Sequence, residues 1–222
     1  MRRLVRALAA LLPNVLFSLT CVLVAAHAFA FLFRSHSPHN PFAAQFAISG
    51  WDVPAHFFGA GLALLLVPLQ LSTYARRHWP ALHRTGGWLY ACAVLIGGIS
   101  GLSLAPGAQA GLASTIGFGV LALLWLGVTG NGIRLAVTGD TAGHRAWMAY
   151  SVALTAAAIT LRLMLGLGLG LFRFPFAATY ITAAWGSWLI NLAVCAWLLR
   201  HRSRSDARVA AGMHSVSRRP TA

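Results

Sequence analysis

Carboxylates are almost absent from this chain. Asp52, Asp140 and Asp206 are the only acids in 222 residues, and neither glutamate nor lysine occurs. Charged side chains of both signs make up 9% of the sequence, against about 25% in a soluble globular domain. A surface facing water cannot be assembled from so few. The sequence holds no intramembrane carboxylate pair, no HExxH, no Gly-rich phosphate loop and no nucleophile elbow, so hydrolysis and phosphoryl transfer have no groups to rest on. The three cysteines, Cys21, Cys92 and Cys195, show neither CxxC nor metal-ligand spacing and read as small apolar packing residues.

What the chain has instead is apolar length. Hydrophobic residues are 58% of the total and fall in blocks of about twenty, the span a helix needs to cross a ~30 Å hydrocarbon core. The expected fold is an all-α, polytopic transmembrane helix bundle. Its six spans lie near Leu11 to Phe33, Pro54 to Tyr74, Gly86 to Ala105, Gly111 to Ile133, Ala146 to Leu171 and Ala177 to Leu199, separated by turn-forming segments such as SHSPHNP and APGAQAG. Residues 1–200 form one domain in this reading. Residues 201–222 form a polar Arg-rich tail with little to bury, expected to be disordered at the membrane surface.

The formal charge of +14 would suggest nucleic acid in a soluble protein, but no basic groove interleaved with aromatics is visible, and the lipid bilayer is the expected partner. Fourteen arginines fall in the N-terminus, alternate connections and the tail, while the other connections hold only Arg34 and Arg173. Positive charge stays cytoplasmic, which puts both termini inside. The start also resembles a secretory signal, yet its apolar stretch runs to Phe33, beyond the 7–15 residues typical of a signal core, so retention as a first helix is expected.

Histidine is rare in lipid, and an ionisable group there is by default a functional hypothesis. His27 and His56 fall toward the outer ends of the first two spans, and His83 and His144 at the inner starts of the third and fifth. An outer and an inner pair on different helices is what two b-type haems with bis-histidine ligation require. His83, Gly87, Tyr90, Gly97 and Gly101 recur near helical period, a smooth stripe for a flat macrocycle or another helix. His144, Met148, Ser151, Thr155 and Arg162 make a polar stripe along the fifth span. The plainer alternative sets His83 and His144 at headgroup level, paired with phosphate or loop carbonyls, and His27 in a bond to another helix. Met148 reads as packing. Arg162 costs several kcal/mol in the outer leaflet unless partnered. It pairs with Asp52, reaches the interface, or holds an anion such as a haem propionate or substrate carboxylate. Gln70 and Asn191 read as interhelical hydrogen-bond partners.

The segments HFFGAGLALLLVPLQ, HRTGGWLY, GFGVLALLWL, GDTAGHRAWMAYSVALTAAAITLRL and AAWGSWLINL together resemble domain of unknown function 2306, a family of predicted bacterial membrane proteins. The likeness covers about Val53 to Leu199. It implies a multi-helix domain in the bacterial cytoplasmic membrane, with His56, Gln70, His83, Arg84, His144, Arg145, Trp147, Met148, Arg162, Trp188 and Asn191 at the positions matching the family's pattern, and it implies no activity. His27 lies outside the match. HRTGGWLY is also similar to the helix starts of ascorbate-linked transmembrane cytochromes, which carry a second histidine lower on the helix that this chain lacks. Three functions follow from these readings: electron transfer through b-type haem, transport or binding of a small anion or lipid, and a structural accessory role. No catalytic residue is assigned.

Overall fold

The structure, a computed structural model, describes residues 2–33 and 50–217, with side-chain surroundings for 11–33 and 50–204. The described chain is helical. In order come α1 (Arg2–Phe33), α2 (Asp52–Leu71), α3 (Thr73–His78), α4 (Pro80–Leu104), a 3₁₀ turn (Ala105–Gly107), α5 (Leu112–Val137), α6 (Thr141–Thr155), α7 (Ala157–Leu165), a π-helical turn (Gly166–Leu171) and α8 (Phe176–Ser217). Six stretches are long and apolar enough to cross a membrane: Leu11–Phe33, Asp52–Leu71, Pro80–Gly107, Leu112–Val137, Thr141–Leu171 and Phe176–Arg204. The fifth is composite, built from α6, α7 and the π turn.

Local chemistry sets the helix starts. Ser72 caps α3 by accepting from the Ala75 N–H at 3.1 Å, and Pro80 opens α4 at a position whose N–H is not needed. Gly139 turns the chain with φ +85, and Asp140 then caps α6 by accepting from the Gly143 N–H at 2.8 Å. The GDTAGHR segment is thus a turn, a cap and a first helical turn that delivers His144.

Helix α1 packs on α2, α2 on α4, α4 on α5, α5 on α6, and α8 against α5, α6 and α7. The closest crossing is α2 on α4, where a Cβ on Gly59 would come 2.5 Å from the Gly97 nitrogen and one on Gly97 would come 2.9 Å from the Ala60 nitrogen. Two hydrogen side chains let the backbones touch. The smooth stripe of α4 is therefore covered by α2 at Gly97, and at Gly101 by the His56 imidazole, 3.1 Å from where a Cβ would stand. The core runs through Cys21, Ala25, Leu64, Val67, Tyr90, Val94, Trp125, Leu154 and Trp188. Large apolar side chains such as Leu16, Leu23, Trp88, Ile99 and Leu123 point outward, the pattern of a surface solvated by lipid rather than water.

Helix α8 runs on past the sixth apolar stretch as far as Ser217. Arg and Ala in DARVAA are good helix formers, and no proline interrupts the register before Pro220.

Candidate functional site

The centre of the bundle holds a saturated hydrogen-bond network. The Tyr90 hydroxyl stands 2.6 Å from Thr155 Oγ1 and 2.8 Å from Ser151 Oγ. Trp125 Nε1 donates to Thr155 Oγ1 at 2.9 Å, and Thr129 Oγ1 lies 2.6 Å from Ser151 Oγ. The proton directions follow by elimination. Thr155 donates its one hydrogen to the Ser151 carbonyl at 2.9 Å, so it accepts from Trp125 and from Tyr90. Tyr90, having donated, accepts from Ser151, which in turn accepts from Thr129.

This network also fixes the depth of everything on α4 and α6. Both helices start on the arginine-rich face, and seven residues is two turns, about 10 Å, with only ~20° of rotation. His83 lies seven residues before Tyr90, and His144 seven before Ser151. Because Tyr90 and Ser151 meet, the two histidines stand at one level on facing sides of the same interhelical space. Each is within electrostatic range of the other. No Cα of α4 comes within 8 Å of a Cα of α6. The two helices stand apart, and the long Tyr90 side chain bridges them.

The imidazoles differ in what holds them. His144 Nδ1 is 2.8 Å from the Gly132 carbonyl. A carbonyl only accepts, so Nδ1 carries a proton, and in the neutral ring Nε2 keeps the lone pair, the tautomer of a metal-ligating histidine. His83 is part-buried, and its Nδ1 is buried without a hydrogen bond. Met148 rests its sulfur against Gly132, 2.7 Å from where a Cβ would be, and is packing on α5. Gln70 reaches the His83 carbonyl at 3.4 Å, a weak bond at the edge of the same space.

Toward the opposite face a second group assembles. His56 Nδ1 donates to the Gly97 carbonyl at 2.8 Å, and Arg162 Nη1 donates to the Ala158 carbonyl at 2.9 Å. Gly97 is seven residues past Tyr90 and Ala158 seven past Ser151, so both acceptors lie about 10 Å beyond the network. Arg162 lies within electrostatic range of His56. Asp52 accepts from Ser103 Oγ at 2.5 Å, and no ion pair joins it to Arg162 among the described residues. His27 stands on the exposed side of α1, off the buried line of Cys21, Ala25 and Ala28. Asn191 accepts from Thr160 Oγ1 at 2.9 Å and donates to the Ala153 carbonyl at 3.1 Å, tying α8 to α6 and α7.

The family model described as a predicted membrane protein, DUF2306, matches residues 53–199. The chain belongs to that family. The matched stretch contains α2 to α7 with most of the membrane part of α8, and so every histidine of the two facing groups. No curated protein and no solved structure shows significant similarity to the chain. Within this DUF2306 domain, the residues that sequence reasoning passed over are Trp125 and Thr129. They sit in an apolar run, and their one signal is a four-residue spacing that puts both polar groups on one face of α5.

Proposed function

We propose that this protein is a transmembrane electron carrier of the bacterial cytoplasmic membrane, with both termini cytoplasmic, that holds one b-type haem between His83 and His144. The observation that carries the reading is the pair of imidazoles at one depth on facing sides of α4 and α6, where the helices stand apart. The donor set fits the group. Among the described residues no cluster of three or more His, Cys, Asp or Glu side chains exists, too few for a tetrahedral zinc site. A porphyrin brings four nitrogens of its own, and two imidazoles complete six. His144 has its Nδ1 proton committed to Gly132, which orients the ring and sets its tautomer. The buried, unbonded nitrogen of His83 costs about 1–3 kcal/mol while it has no partner, a cost that ligation of its ring and reorientation around it would offset.

When bound, the haem supplies a one-electron centre. The chain's own part is to hold two neutral imidazoles, to keep water from the space beneath Tyr90, and to close the far side with the hydroxyl network. The outer haem suggested by the sequence lacks a second histidine on the buried side, since His27 is exposed, and the proposal is confined to the inner pair.

The test is optical. Protein purified from haem-supplied cells is expected to show sharp reduced bands of a six-coordinate, low-spin b-type centre. His83→Ala and His144→Ala each abolish them, while His78→Ala and His56→Ala retain them. Colourless protein without near-stoichiometric iron would overturn the reading.

A further inference from the structure

We propose that Arg162 and His56 form a binding site for a protonated phosphate group, either hydrogen phosphate or a phosphate monoester, in the half of the bundle remote from the arginine-rich face. The site stands independently of the haem reading.

Three observations converge on it. The first is a charge with no ion pair among the described residues. The chain has three acids, Asp140 caps α6 at the other face, Asp206 lies in the terminal stretch beyond it, and Asp52 is engaged by Ser103. The second is direction. An arginine reaching for the interface would extend away from the membrane centre, yet Arg162 folds back along its own helix onto Ala158. Its remaining N–H groups make no hydrogen bond among the described residues and are not sealed in protein. A guanidinium held at this depth presents a planar fork of donors, the geometry that matches phosphate or carboxylate oxygens.

The third observation narrows the class of anion. His56 donates from Nδ1 to Gly97, so in the neutral ring Nε2, at the same depth, is an acceptor. An acceptor beside a cation repels a fully ionised oxyanion but welcomes one that carries an O–H. The ligand therefore needs charged oxygens for Arg162 and one hydroxyl for His56. Hydrogen phosphate has both, and so does a phosphate monoester in its singly ionised form, whose second pKa is about 6, whereas sulfate at neutral pH has no proton to give.

The shared chemistry has two sources, a soluble phosphate or a membrane lipid with a terminal phosphate, and one experiment separates them. Thermal unfolding of the full-length protein is followed in detergent with inorganic phosphate or with sulfate at equal ionic strength. It is then followed in nanodiscs of phosphatidylcholine with and without phosphatidic acid. The expected result is a rise in Tm of roughly 5 °C or more at saturation, given by phosphate over sulfate in the soluble case or by phosphatidic acid in the lipid case. Arg162→Gln loses the rise, Arg162→Lys keeps part of it, and His56→Phe levels phosphate with sulfate. Equal stabilisation of the unmodified protein by phosphate and sulfate, or no response in either arm, overturns the proposal without needing any variant to fold, and neither result touches the optical test above.

Discussion

At the scale of single residues, Tyr90 shows how one polar group is made tolerable in an apolar interior. Its hydroxyl is fully buried, and it is paid for in full, donating to Thr155 and accepting from Ser151. Hydrogen bonds between membrane helices average only about 0.6 kcal/mol in net terms, because the separated helices also find partners. Tyr90→Phe should therefore lower stability by about 1 kcal/mol, and Tyr90→Phe with Thr155→Val should cost less than the sum, since either change removes the same bond. A double-mutant cycle on thermal or denaturant unfolding measures this, and strict additivity would remove the network from the account. Tyr90, Ser151 and Thr155 were legible as members of polar stripes on two helices. That they face one another was not, because helical period gives the face of each helix but not which faces meet. The position of His27 around α1, on the exposed side, was not legible for the same reason.

Among helices, the decisive contact is α2 on α4. The glycines of α4 were legible as a smooth surface, and a sequence cannot say whether a flat ring or a helix lies on it, since both need the same absence of side chains. Backbone contact at Gly59 and Gly97 answers that for the upper half of α4; in the lower half the Gln70 side chain of α2 stands 3.7 Å from where a Cβ on Gly87 would be, and no Cα of α6 comes within 8 Å. Gly59→Val should fail to give folded protein, because two methyl groups must enter where a single Cβ already meets the Gly97 and Ala93 backbone. Gly130→Val should be tolerated, since nothing lies within 4 Å of a Cβ there. Size-exclusion profiles and folded yield in detergent distinguish the two, and equal tolerance would mean that the crossing is looser than described. The break between α6 and α7 was not legible. No proline marks it, and Thr155 sits there bonded to the carbonyl one turn back, a bond that commonly bends helices.

Taken whole, the molecule reads from its arginines. Six spans were legible because lipid demands about twenty apolar residues at a time, and the near-exclusion of arginine from alternate connections sets the expected orientation. Reporter fusions after Ala108 and Phe174 should report the external side, and those after His78, Asp140 and Ser203 the cytoplasm. An internal signal at Ala108 would reverse the molecule and exchange the sides assigned to the two histidine groups. Either way, the two groups lie on opposite sides of the hydroxyl layer. Every hydrogen in that layer is already committed, in one sense, to an acceptor that ends on the Ser151 carbonyl, so no proton can hop along it until several bonds turn over together. In this arrangement of its hydrogens the layer offers no continuous proton path between the arginine-rich end and Arg162.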